Sequence, residues 1–269
     1  MEIFKTSRLN LNTFYFLNFA FFYFIYIFIN HTHFYLSLNG ESGIIELSGA
    51  FSLLLTSFIL FWCAKSCKDV KESKYKYWTF IAVGLLFFWA FGEEISWGQH
   101  MFGTLTPEWL AAINDQNETN IHNINKKFFD RLLERVTILL TLITAIMHFR
   151  GKEYLFGFKL PEYPLNLAFM LLPMYHNFNT IDFDMWAISI VILLGYIILS
   201  VIKYNKSLLI MNVVFVITAF ITVYFHYTHQ HLFGNNLNIY HEIRETMFSM
   251  LCVIFSIQLF RNIKEKNNF

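Results

Sequence analysis

Two adjacent carboxylates, Glu93 and Glu94, stand at the end of an apolar run that begins near Trp78. They open a polar stretch that continues through Ser96, Trp97, Gln99 and His100. A carboxylate at the end of a helix that belongs in lipid is costly to keep. Such groups face a protein interior or a water-filled cavity, where they bind ligands or move protons. The chemistry expected of Glu93 or Glu94 is therefore that of a general base or a metal ligand. The loop at 114–123 is dense in amides and carries one imidazole, His122, as a second proton-transfer group or ligand. Asn123 beside it is a candidate substrate contact, as is Gln99.

Further ionisable residues reach the same level. At 1.5 Å per helical residue, Glu94, Glu134 and Glu245 each lie roughly 24 Å above the inner edge of their own apolar run. Around them the sequence places Glu93, Arg131, Arg135, His241, Glu242 and Arg244. Five of these residues are glutamates, against three arginines. Charge left over in a buried place is neutralised by a partner, a metal or a proton. A divalent cation, a cationic substrate group or protonated carboxyls would each satisfy it. Glu245 completes the expected site, and Arg135 or Arg244 is suited to an anionic head group. His241 and Glu245 share a helix face with Glu242 between them, but the second histidine of a His-Glu-x-x-His zinc motif is missing. The cluster His226, His229 and His231 has metal-binding chemistry, and an exposed polar cap is an equal reading of it.

The elements that must position these groups are apolar. Of 269 residues, 56% are hydrophobic and 14% charged, where soluble domains carry about 25% charged residues. The deficit falls in long runs, so the expected fold is all-α: a polytopic membrane protein with about eight transmembrane helices in a single domain, 1–269. The spans are read at 11–30, 46–64, 77–96, 129–148, 164–175, 185–203, 208–227 and 241–260. The fifth is short and carries Pro164 and Pro173, so it is broken, tilted or re-entrant. The first run lacks a cleavage pattern and reads as a retained anchor. Cys63, Cys67 and Cys252 lie in or beside apolar runs and read as structural thiols.

Basic residues set the orientation. With the N-terminus cytoplasmic, fifteen Lys and Arg fall inside and five outside, and nine of ten His fall outside. Both termini are then cytoplasmic, and the Glu/His/Arg cluster faces the exterior or periplasm. The loop beginning at Thr106 and Pro107 is expected to start a short helix, with Thr106 as its cap.

The residues Glu41-x-Gly-x-x-Glu46, Gly92-Glu-Glu-Ile-Ser-Trp-Gly-Gln99, Asn114-x-Gln-x-Glu-x-Asn-x-His-Asn123 and Glu242-x-x-Glu245 resemble an uncharacterised family of bacterial multi-pass membrane proteins. His100 stands where that family has an Arg. The resemblance implies a shared outer-face site and a bacterial inner membrane, without an activity. A fainter similarity is to the intramembrane CAAX-protease-like family. Glu93, Glu94 and Trp97 match its first motif, with Gly98 in place of its Arg. Phe225/His229 and His231/Asn235 match the spacing of its later motifs.

The leading expectation is a membrane-embedded hydrolase or transferase acting on a lipid or lipid-linked substrate. Glu93, Glu94, His122 and Glu245 would do the chemistry. Gln99, Asn123, Arg135, Glu242 and Arg244 would hold the substrate. The expected partners are the bilayer and that substrate, not nucleic acid. A transporter or receptor for a cation or amine, and a structural or accessory membrane subunit, are the alternatives.

Overall fold

The computed structural model describes residues 7–30, 43–69, 72–114, 116–172, 183–203, 205–228 and 238–265. The chain is mostly helical. Its long helices are α1 (Arg8–Asn30), α2 (Ile44–Asp69) and α3 (Lys74–Glu94). Two one-turn helices follow, α4 (Gln99–Phe102) and α5 (Glu108–Ala111). Then come α6 (Lys126–Phe149), a short antiparallel hairpin of β1 (Tyr154–Leu155) and β2 (Phe158–Lys159), and α7 (Tyr163–Leu171). The chain closes with α8 (Phe183–Ile202), α9 (Lys206–Thr228) and α10 (Asn238–Glu265). Asn125 and Asn205 precede α6 and α9. Their side-chain oxygens accept the amides of Phe128 and Leu208, which satisfies donors that a helix start leaves open.

Among the described residues, three segments are long and apolar enough to cross a membrane: Ile44–Asp69, Arg131–Phe149 and Ile243–Glu265. This is fewer than the eight runs read from the sequence. The run at 164–175 begins in α7, whose nine residues rise about 13 Å; residues 173–175 of the run lie outside the described residues. The long helices also expose large apolar side chains, among them Phe51, Phe58 and Trp62 on α2, Leu139 and Leu140 on α6, and Val191 and Ile198 on α8. Apolar exposure on this scale marks a surface that meets lipid or another protein rather than water.

The chain divides into two compact units. One takes α1, α6 from Glu134 onward, the hairpin, α7, α8, α9 and α10 up to Met247. The other takes α2, α3, the loop 95–125, the start of α6, and α10 from Phe248.

In the second unit α2 and α3 approach closely. The Ser57 hydroxyl donates to the Gly84 carbonyl at 2.8 Å, and the Phe61 ring occupies the space that a Cβ on Gly84 would need. Small residues permit such approach where lipid removes the hydrophobic drive for helix association. Phe51 and Phe91 extend the contact toward the end of α3 that carries Glu93. Cys63, Cys67 and Cys252 are buried and form no disulfide among the described residues.

In the first unit α7 is buried along its whole length. Its polar side chains are joined to those of other helices. Tyr163 donates to Asn212 Oδ1, and Asn166 donates to the Tyr196 hydroxyl at 3.0 Å and to the Thr141 carbonyl at 3.2 Å. The Tyr196 hydroxyl, an acceptor from Asn166, also hydrogen-bonds His148 Nδ1 at 3.0 Å. Thr218 on α9 donates to Asn18 Oδ1 on α1 at 2.7 Å.

Candidate functional site

The end of α3 turns sharply. Ser96, Trp97 and Gly98 have φ of 46°, 53° and 82°, three consecutive residues in the left-handed region. For Ser96 and Trp97 this costs about 1–2 kcal/mol each, so other interactions must hold it. The Trp97 indole folds back over the helix it has just left. Its Nε1 donates to Glu93 Oε1 at 3.0 Å. Its ring lies against Gly92, where an added Cβ would come within 2.7 Å of it. The Ser96 hydroxyl donates to Glu118 Oε2 at 2.9 Å and accepts from Asn120 at 3.1 Å.

Glu93 is buried, and the amide-rich loop closes over it. Its Oε2 accepts the backbone amides of Ile121 at 2.6 Å and His122 at 3.0 Å. With Trp97, three N–H groups converge on one carboxylate. Hydrogen bonds to a charged acceptor are the strong ones, about 1.5–3 kcal/mol each. The fourth neighbour is the imidazole of His122, whose Nδ1 lies 3.6 Å from Oε2. That nitrogen is buried and makes no hydrogen bond. The His122 side chain as a whole is 26% exposed. The ring thus turns Nδ1 toward the carboxylate while the side chain stays partly exposed.

A second carboxylate knits the rest of the loop. Glu118 Oε2 accepts from Ser96, from Asn120 at 2.7 Å and from Asn123 at 3.0 Å. Asn123, a sequence candidate for substrate contact, is buried, and its amide also donates to Gln116 Oε1 at 2.5 Å. Gln99, another such candidate, donates to Thr106 at 2.9 Å and accepts the Thr119 amide at 2.5 Å. Both amides are thus engaged in holding the loop. Asn114 Oδ1 accepts the amides of Gln116 and Glu118, and its Nδ2 donates to Asn120. Thr106 does not cap the short helix as the sequence reading expected. Pro107 is the residue at the start of α5, and the Thr106 hydroxyl donates to the Asn117 carbonyl at 2.6 Å instead.

The remaining candidates fall as follows. Glu94 is half-buried at the last position of α3. In the first unit Arg244 is buried and ion-paired with Glu134, bridging α10 and α6. Glu245 is half-buried and Arg135 exposed. Glu242 and His241 belong to α10, but their side chains lie outside the described residues, as do those of His226, His229 and His231. Among the described residues no three of His, Cys, Asp and Glu gather as a metal-ligand group.

Sequence reasoning missed Glu118 and Trp97 as the partners that organise the loop. The signal for Trp97 was its position four residues after Glu93 with Gly92 beside it. Glu118 carried no signal apart from the amides around it. No family model matches this chain, and neither a curated protein nor a solved structure is significantly similar to it.

Proposed function

We propose that this chain is an integral membrane protein whose loop 95–125 presents His122 as an acid–base group to a lipid or lipid-linked substrate. One observation carries the reading: His122 Nδ1 is buried 3.6 Å from Glu93 Oε2, while the side chain as a whole is 26% exposed. A carboxylate beside one imidazole nitrogen orients the ring, leaving the other nitrogen to take a proton from a water or hydroxyl and return it to a leaving group. The separation is a few tenths of an ångström beyond the usual N–H···O range of about 2.7–3.2 Å, a close contact rather than a hydrogen bond. Glu93 is then a positioning residue rather than the base itself, because three N–H donors already occupy it.

The membrane setting of this reading keeps the eight spans, with both termini on the basic, cytoplasmic side and the loop outside. Three candidate spans support it, as do α1, α3, α8 and α9, whose 20 to 23 residues match a hydrocarbon thickness of about 30 Å. The resemblance to the uncharacterised multi-pass family rests on the same residues, Gly92, Glu93, Trp97, Gln99 and His122 among them.

A second reading has its own observation. Glu93 and Glu118 each accept three donors from within the loop, so the motif residues are explained by closure of the loop alone, as in a structural or accessory subunit. The two readings part at His122, whose Nδ1 makes no hydrogen bond among the described residues. The protein is reconstituted with a membrane lipid extract, and lipid species are followed by mass spectrometry. Conversion by the wild type that His122→Gln loses, with unchanged thermal unfolding, supports the enzyme. A wild-type protein that converts no lipid species overturns it.

A further inference from the structure

The hairpin that follows α6 belongs to neither the loop nor the polar interior of the first unit. Its register pairs Tyr154 with Lys159 and Leu155 with Phe158, leaving Phe156 and Gly157 as a two-residue turn. Both turn residues have positive φ, 50° and 80°. A two-residue hairpin turn of the favoured hand requires this, and Asn, Asp or Gly normally supplies it. Phe at the first position is kept against backbone preference and is 78% exposed. Tyr154 is also exposed. The hairpin starts five residues past Phe149, the last residue of the candidate span Arg131–Phe149, so it stands at the level where that span would leave the hydrocarbon.

Charge follows the same pattern. The two acids of the segment are engaged: Glu153 accepts from Lys159 at 2.5 Å, and Glu162 accepts the Ser7 amide at 2.7 Å. Lys159 also lies over the Tyr154 ring, 5.2 Å from its centre, which stiffens the pair of strands. Arg150 and Lys152, at the entrance to the hairpin, are exposed. An exposed aromatic tip with exposed cations at its base is complementary to the interface of an anionic bilayer, where aromatic rings settle at head-group depth and Lys and Arg meet lipid phosphates.

We propose that the 150–159 hairpin is an interfacial anchor: Phe156 inserts among the lipid head groups while Arg150 and Lys152 bind anionic lipid. The proposal rests on α6 being a membrane span and is independent of the role given to His122.

The test places an environment-sensitive thiol probe at Phe156→Cys in the full chain, reconstituted in vesicles of phosphatidylcholine alone or of equal parts phosphatidylcholine and phosphatidylglycerol. The native cysteines are buried, so labelled wild type supplies the background. The expected result is a blue-shifted probe, several-fold less accessible to acrylamide in the anionic vesicles than in the neutral ones. Arg150→Gln combined with Lys152→Gln should restore access in the anionic vesicles. A probe fully open to acrylamide in both vesicles overturns the anchor. So does protection that ignores both lipid charge and the double substitution, and protection that is lost on diluting the protein in lipid points to a second copy instead.

Discussion

The Trp97 indole donates to the Glu93 carboxylate four residues earlier, across a turn in which Ser96, Trp97 and Gly98 are all left-handed. This bond returns the chain onto the helix it has left and sets where the following loop can close. Trp97→Phe keeps most of the ring and deletes the donor. Glu93 Oε1 would then lose its partner in a buried place, at a cost of about 1.5–3 kcal/mol. A clearly lower thermal midpoint for the purified variant is expected, and a midpoint equal to wild type contradicts the bond's importance.

Gly92→Ala tests the same turn from the helix side. The new Cβ meets the Trp97 ring at 2.7 Å, and the ring is held by its bond to Glu93 and cannot simply swing away. Overpacking of this kind costs about 1–3 kcal/mol. Combining Gly92→Ala with Trp97→Ala should recover most of the penalty due to the added methyl. If the double variant loses the full sum of the two single losses, the contact is not the cause.

Lys159 gives a pH dependence with a definite sign. Burial is the largest single influence and pulls its pKa down, but the hydrogen bond and charge of Glu153, helped by Tyr154 and Glu162, outweigh it and leave the pKa raised above 10.5. A raised pKa in the folded state means stabilisation that is fully present below 10.5 and is lost as pH rises through the folded value. The Lys159 side-chain titration, followed by NMR, should therefore fall above that of a free lysine. Glu153→Gln should bring it down. A midpoint that does not move in Glu153→Gln contradicts the pairing.

The helical class of the fold was legible from the apolar runs, because continuous hydrophobicity over 20 residues has few other solutions. The end of the third run was legible to within two residues, read at 96 where α3 ends at Glu94. What could not be read was the use of the amides. Asn114, Asn120 and Asn123 look alike in sequence to a solvated loop, yet all three are buried. Their partners, Glu118, Ser96 and Gln116, are fixed by the turn at 96–98, whose left-handed backbone is not encoded by any residue preference of Ser or Trp. The Thr106 cap failed for a related reason: its hydroxyl is drawn to the Asn117 carbonyl by the closed loop, a contact with no local signature. The polar interior of the first unit was missed because Asn166, Tyr196 and Asn212 are scattered singly through apolar runs.

Orientation can be checked at two positions. Leu105 is 92% exposed in the loop and should lie on the outer side, whereas Lys68 lies at the basic end of α2. In sealed cells an impermeant thiol reagent should label Leu105→Cys and spare Lys68→Cys. The opposite pattern contradicts the orientation and moves His122 to the cytoplasmic side.

The most direct measurement compares His122→Gln with Glu93→Gln in one reconstituted system, recording lipid conversion and thermal unfolding together. Glu93→Gln should lose conversion and unfold early, since an amide set against three N–H donors forfeits about 2–3 kcal/mol. His122→Gln should unfold near the wild-type temperature and still lose conversion, because its Nδ1 makes no hydrogen bond in the loop. A His122→Gln protein that unfolds normally and converts lipid at the wild-type rate would contradict His122 as the acid–base group.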